Sequence, residues 1–383
     1  MKASEGSRRD GALEGVRVAD FSRVLAGPYA TMMLADLGAD VVKIERPGTG
    51  DETRAWVPPV DAEGTSTYFL GVNRNKRSVA LDLGDEKDLA AAFEFAAGRD
   101  VLVENFRPGT MDRLGLGYER LRAANPGLVY CSISGFGTAG GAAIPGYDLL
   151  VQAVGGLMSV TGEPDGNPLK AGVALVDVIT GLHAGLGILA ALRHREATGE
   201  GQLVEVNLLS SLLSAMVNQA SGYAVAGVVP GRLGNAHPSI APYETFETAD
   251  RPIALAVGND RQFAELVDTL GLPRLAQDPR FRSNADRVEH REQLRRILGV
   301  RFRSAGADLW SGALLARGVP VGPVNSLDEA FAFAAEMGLP AIVDVVESRQ
   351  VANPIGMSST PPSYRMPPPG LGEHTEQMLK ETR

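Results

Sequence analysis

From Gly15 onward, short apolar runs alternate with stretches whose apolar residues recur at helical spacing. Residues 16–21, 40–44, 78–81, 101–103 and 128–133 read as strands, with helices over 29–37 and 86–97 and a short one near Met111. This alternation predicts βαβ units and an α/β fold: a Rossmann-like large domain with a largely parallel sheet. A helix over 181–195, a strand around 204–206 and a long helical pattern from 208 to 226 continue the series. A Gly/Pro-rich passage follows, which predicts a first domain over 11–226, a linker at 227–240 and a smaller α/β domain over 241–325. That smaller domain carries a strand at 253–257, a helix over 261–270 and a charged helix over 285–301, and a strand-like 341–346 with a Pro-rich tail comes after it.

Length supports two domains, because 383 residues exceed what one hydrophobic core usually serves. The net charge of -9 argues against a general nucleic-acid or membrane-surface partner, so an anionic ligand has to meet a local basic cluster. Cys131 is the single cysteine, which excludes an intrachain disulfide and a cysteine-rich metal site. The first ten residues are polar and no window approaches 18 uninterrupted apolar residues, so a cytoplasmic protein is expected.

The turn after the first strand reads Ser22-Arg23-Val24-Leu25-Ala26-Gly27-Pro28, not the G-x-G-x-x-G of a dinucleotide site, and there is no P-loop. Five scattered histidines give no metal-ligand spacing. Basic residues instead gather just beyond strands, in Lys43-Ile44-Glu45-Arg46, Asn73-Arg74-Asn75-Lys76-Arg77, Asn105-Phe106-Arg107 and Asp112-Arg113, where open α/β sheets bind their ligands. Asp177 follows the apolar Ala174-Leu175-Val176 at the predicted start of the helix over 181–195. Its carboxylate is expected at a strand-to-helix turn, where backbone N–H groups favour negative charge.

The segments Pro145-Gly146-Tyr147-Asp148, Gly155-Gly156-Leu157-Met158-Ser159-Val160-Thr161-Gly162 and Val176-Asp177-Val178-Ile179-Thr180-Gly181 resemble the signature of family III CoA-transferases, and the resemblance runs from about Leu13 to Thr375. It implies an enzyme with no permanently bound cofactor, acting on acyl-CoA and carboxylic acid substrates. It also implies a C-terminal return of 326–383 to the large domain and an interlocked, ring-like homodimer. In the implied mechanism the Asp177 carboxylate attacks the acyl-CoA carbonyl to give a mixed anhydride and CoA thiolate, and the thiolate returns to give an aspartyl-CoA thioester that the acceptor acid then attacks. A carboxylate nucleophile of this kind needs no general base.

By the same resemblance Arg46, Lys76, Asn105, Phe106 and Arg113 match CoA contacts, and Leu25 and Ala26 match the pair beside the pantetheine. Asn75, Tyr147 and Asp148 complete the candidate CoA site. Glycines at 155, 156 and 258 are expected to offer unobstructed N–H groups to oxyanions. A glycine run that shields the intermediate in formyl-CoA transferases is here Gly258-Asn259-Asp260-Arg261-Gln262, with Asp260 a candidate helix cap. The run 156–174 resembles succinyl-CoA-dependent dicarboxylate transferases more than the formyl-CoA branch, and Leu25 in place of a Gln of the latter points the same way, which favours succinyl-CoA as donor and a C4 to C6 dicarboxylate or a hydroxylated relative as acceptor. Racemases of the same fold use a His before the Asp where this chain has Tyr147, and a phenol is a poor base at neutral pH. That makes an acyl-CoA racemase, and beyond it a non-catalytic CoA or nucleotide binder, the alternatives.

Overall fold

The computed structural model of the chain describes residues 11–346 and 348–381; residues 1–10, on which the expectation of a cytoplasmic protein partly rests, lie outside them. Strands β1 (Arg17–Asp20), β2 (Asp40–Glu45), β3 (Lys76–Ala80), β4 (Val101–Glu104), β5 (Val129–Ser134) and β6 (Leu203–Asn207) form one sheet in the order β3-β2-β1-β4-β5-β6. Every neighbouring pair is parallel. The interleaved helices are α1 (Ala26–Asp36), α2 (Thr67–Leu70), α3 (Glu86–Ala97), α4 (Thr110–Arg113), α5 (Tyr118–Ala124), α6 (Asp148–Val154), α7 (Leu157–Val160), α8 (Leu175–Thr198), α9 (Leu208–Ala215) and α10 (Val217–Ala226).

Side chains alternate along each strand, so one sheet feeds two cores. Val18, Val41, Val101, Val103, Val129 and Ile133 pack with α1 and α8 on one face, through Leu34, Ala184 and Ile188. Ala19, Val42, Leu102 and Tyr130 pack with α3 and α5 on the other, through Phe95 and Leu121. Strand order reverses between β1 and β4. The chain therefore leaves their carboxyl ends in opposite directions and opens a crevice there, the usual ligand position in such sheets.

By internal contacts the chain divides into two units, one of Met1–Leu157, Ala171–Gly227 and Leu339–Arg383 and one of Met158–Lys170 and Val228–Gly338. The second unit thus also takes in 158–170 and 326–338, outside the boundaries read from composition. It has an antiparallel sheet of β7 (Tyr243–Phe246), β8 (Ile253–Ala256) and β9 (Val321–Pro323), and helices α11 (Asp260–Thr269), α12 (Asn284–Glu289), α13 (Arg291–Phe302), α14 (Ala307–Leu315) and α15 (Leu327–Glu336). The hairpin β10 (Ile342–Val345) and β11 (Ser348–Val351) and helix α16 (Thr375–Glu381) belong to the first.

Four local expectations need correcting. The helical pattern over 208–226 breaks at Met216 into α9 and α10, and that over 285–301 breaks at His290 into α12 and α13. Asn259, not Asp260, caps α11, its side chain accepting from the Gln262 N–H at 3.0 Å. No strand precedes Asp177, because 174 is the cap position of α8 and 175 already its first residue.

Candidate active site

Asp177 is the third residue of α8. Ala174 at the cap position has no side-chain acceptor, and Asp148 at the start of α6 supplies one from outside the helix. One Asp148 oxygen accepts from the Val176 N–H at 2.8 Å and lies 3.4 Å from the Asp177 nitrogen; the other accepts from Gln152 Nε2 at 2.5 Å. Gln152, fully buried, completes the brace by accepting from the Ala171 N–H at 2.8 Å. A helix start favours an ionised carboxylate. Here burial, aided by the neighbouring Asp148 charge, outweighs it and pushes the Asp177 pKa up to about 7.

One turn further along α8, a Cβ on Gly181 would lie 2.6 Å from the Ala26 carbonyl oxygen and 3.3 Å from Tyr29 Cδ1. Only glycine permits that approach. It brings the start of α8 against the start of α1, whose first-turn N–H groups, those of Ala26 and Gly27 since Pro28 has none, have no carbonyl within the helix to bond. Leu25, Ala26 and Asp177 accordingly line one cavity of about 170 Å³, together with Arg23, Asn105, Phe106, Arg107 and Tyr147.

A larger cavity of about 610 Å³ adjoins it; Arg23, Glu52 and Phe106 line both. Arg23 Nη1 donates to Glu52 at 2.6 Å and its guanidinium lies 4.7 Å from the Phe106 ring centre, so the passage between the cavities has a charged wall and an aromatic wall. Exposed Arg46, Trp56 and the apolar Leu81, Leu83 and Leu114 line the larger space. Together the two cavities form a cleft with a cation and flat apolar surface at one end and a carboxylate beside a helix start at the other. All of it lies within the first unit.

Of the predicted site residues, Asp177, Leu25, Ala26, Asn105, Phe106, Tyr147 and Arg46 line this cleft. Asp148 acts on the helix backbone instead. Lys76 and Asn75 are corrections. The Lys76 ammonium is fully buried and donates to Asp20 at 3.1 Å, the Pro28 carbonyl at 2.9 Å and Asn73 at 2.9 Å, which uses all three of its hydrogens. Asn75, buried with φ at 60°, donates to Asp36 and the Ser363 carbonyl and accepts from the Arg365 and Met366 N–H groups. Neither faces a ligand cavity. Arg113 is exposed and bonds Thr110 at 3.0 Å, with its neighbour Leu114 rather than itself lining the larger cavity.

The Gly155 and Gly258 N–H groups, expected to face oxyanions, are already engaged, by the Val151 carbonyl and by Gln262 Oε1. His183 bonds Ser211 at 3.1 Å and His194 is exposed, the packing and surface roles their positions suggest. His237 contacts Tyr243 within the second unit. Sequence reasoning missed Tyr68, whose phenol is pushed up to about 12 by burial and by the charges of Asp177, Asp148 and Asp51, and which therefore stays protonated. It stands edge-on to Trp56, with ring centres 5.1 Å apart. Tyr68 lies on a one-turn helix outside the motifs read from the sequence, so only the fold could reveal it.

Comparison with known proteins agrees with this geometry. The model of CoA-transferase family III matches residues 13–375. The succinate–glutarate CoA-transferase of Agrobacterium fabrum is 44% identical over 380 residues, covering 96% of this chain and 95% of that protein. The succinyl-CoA:glutarate CoA-transferase of Mus musculus is 43% identical, covering 96% of this chain and 86% of that one. A CAIB/BAIF family protein from Brucella suis, known from its crystal structure, superposes with a TM-score of 0.88 at 40% identity, over 98% of this chain and 100% of that one.

Proposed function

The chain belongs to CoA-transferase family III, and from that premise we propose that it moves CoA from succinyl-CoA to a C4 to C6 dicarboxylic acid through Asp177. The observation that carries the reading is the Asp177 carboxylate in a small cavity bordered by the start of α1 and continuous with a larger, cation-bearing one. In this reading the nucleotide end of CoA occupies the larger cavity, with Arg46 near its phosphates. The pantetheine arm passes Phe106 and brings the thioester to Asp177.

Asp177 attacks the thioester carbonyl, the C–S bond breaks, and CoA leaves as thiolate. The thiolate attacks the aspartyl carbonyl of the anhydride and releases succinate. The acceptor carboxylate then displaces CoA from the aspartyl thioester, and the thiolate takes the acceptor acyl group, freeing Asp177. No step requires a proton, which suits a cavity without a histidine. Oxyanions at each tetrahedral stage are stabilised by the N–H groups at the start of α1.

Succinyl-CoA as donor and glutarate as a member of the acceptor class follow the names of the relatives. A distal carboxylate needs a cation, since burying it unpaired is prohibitive. Arg23 is paired with Glu52, which leaves exposed Arg107 at the same cavity for this task. Asp177→Ala should still fold and bind CoA but lose transfer, and mass spectrometry of the wild type with succinyl-CoA should find a CoA adduct on the Asp177 peptide. Transfer by Asp177→Ala at near wild-type rate would sink the mechanism.

A homodimer belongs to the same proposal. Leu182, Leu186 and Leu189 form an exposed stripe on α8, a helix long and apolar enough in composition to cross a membrane, although its other face packs on α1 and the sheet. Leu213, Val217 and Val225 extend the exposed apolar surface on α9 and α10. Coverage by a second copy explains so much apolar surface. Light scattering that finds monomers at native stability would refute it.

A further inference from the structure

Val24 has φ of 69°, a left-handed conformation that a β-branched residue adopts only where its surroundings impose it. It immediately precedes Leu25 and Ala26 at the start of α1, and its neighbours grip it closely. The Asn105 side chain brackets Arg23, accepting from its N–H at 2.8 Å and donating to its carbonyl at 2.7 Å. The Val24 N–H itself lies 3.2 Å from both Asp51 oxygens. Lys43 ties the base of the loop, donating to the Ser22 carbonyl at 2.8 Å and pairing with Asp51 at 2.9 Å, both side chains being fully buried.

Asp51 is in turn fixed by the Thr53 N–H at 3.0 Å and hydroxyl at 2.8 Å. Burial works to raise its pKa, yet Lys43 and Thr53 bring it down to about 2, so it is a carboxylate at every working pH. Nothing in the transfer chemistry described above uses this buried pair.

Resting on the CoA-transferase reading, we infer that Asp51 is a positioning residue: its grip on the Val24 N–H holds the strained peptide that aims the start of α1 at the cavity lined by Asp177. The competing role is purely structural, with Asp51 serving only as counter-ion to Lys43 and cap of the short turn Glu52–Ala55. The two roles differ in their dependence on strain. Glycine reaches positive φ freely, so a loop carrying Val24→Gly no longer needs Asp51 to stay there, whereas a counter-ion is needed whatever residue 24 is.

The experiment is a double-mutant cycle of Asp51→Asn and Val24→Gly, read as kcat and KM with succinyl-CoA and glutarate and as equilibrium CoA binding. Asn removes the charge and replaces one of the two acceptor oxygens by an NH2 group, so it cannot accept from Val24, Lys43 and Thr53 together, which loosens the grip. In the wild-type background Asp51→Asn should lower kcat by about 10- to 100-fold, the scale of a sub-ångström to one-ångström misplacement. KM for the CoA ester and CoA binding should change little. In the Val24→Gly background the same substitution should lower kcat by no more than a few-fold.

An equal drop in both backgrounds, a loss confined to KM, or an unchanged kcat for Asp51→Asn would overturn the inference. Should Asp51→Asn fail to fold, the cycle is run in Lys43→Met, which removes the other buried charge, and is judged by the same ratio. Were the unsubstituted protein to transfer no CoA from any acyl donor, the transferase reading would fail first, and that result is distinct from every outcome of the cycle.

Discussion

A single methyl group at Gly181 tests whether the contact between α8 and α1 sets the rate. The new Cβ would lie 2.6 Å from the Ala26 carbonyl oxygen, against roughly 3.3 Å for the closest comfortable carbon–oxygen approach. A backbone oxygen inside a helix cannot swing aside, so Gly181→Ala must part the two helix starts by about 0.7 Å, the difference of those distances. Alanine's helix propensity favours the variant by about 1 kcal/mol while overpacking disfavours it by about 1–3 kcal/mol. Net destabilisation is thus about 0–2 kcal/mol, a few degrees in Tm for a protein of this size. The rate should respond far more. Misplacing a reacting carboxylate by 1 Å costs about 100-fold, so kcat should drop by roughly 10- to 100-fold while KM for succinyl-CoA stays close to wild type. Gly187→Ala is the control: its Cβ meets Val204 Cγ1 at 2.7 Å, an overpacking cost further along the same helix and away from α1. Steady-state transfer assays beside thermal unfolding decide the matter. Equal kcat losses in the two variants, or a full kcat in Gly181→Ala, would refute the reasoning.

The raised pKa of Asp177 also has a stability consequence. The folded state holds this proton up to about pH 7 while the unfolded chain releases it near 3.8, so the group's cost to stability grows as pH rises from about 4 to 7 and is constant above. Asp177→Asn should therefore raise Tm at pH 8 and lose that advantage at pH 4, with a gain of up to about 2 kcal/mol after halving the full shift for partial exposure; a gain independent of pH would contradict it. At the two ends of the cleft, Arg46→Ala should weaken binding of CoA esters by about 1.5–3 kcal/mol and spare a short pantetheine thioester. Arg107→Met should raise KM for dicarboxylate acceptors and not for monocarboxylates of similar length. Isothermal titration and acceptor panels read these directly, and equal losses for both members of either pair would place the arginine elsewhere.

The parallel sheet was legible because parallel strands buried on both faces leave near-continuous apolar runs, as at 101–103 and 128–133, and the intervening helices have a different period. Asp177 was legible through its flanking motif, yet its setting was not. The cap of α8 comes from Asp148, 29 residues away, and the apolar 174–176 looks the same whether it ends a strand or starts a helix. Lys76 and Asn75 misled for a related reason. A basic cluster after a turn has the same composition whether it faces solvent, a phosphate or a buried carboxylate, and only the positions of Asp20 and Asp36 decide. Tyr68 became visible only when the fold brought it within reach of the charges of Asp177 and Asp148, and Asp51 only when it came to line the larger cavity.

The segment 363–378 has a further consequence, for the order in which the protein can be made. β3 ends the sheet, and an open sheet edge is a template for unwanted strand pairing. The segment covers it: the His374 N–H donates to the Ser78 carbonyl at 2.9 Å, Thr375 Oγ1 accepts from the Ala80 N–H at 3.0 Å, and Met378 is buried in the core of that face. Arg365 meanwhile donates to the Ala35 and Ala39 carbonyls beside α1. During synthesis the six strands emerge by Asn207, but the cover of their edge follows more than 150 residues later. At about 5–20 residues per second the nascent sheet stays uncovered for roughly ten to thirty seconds, long enough for a chaperone or a neighbouring chain to find it.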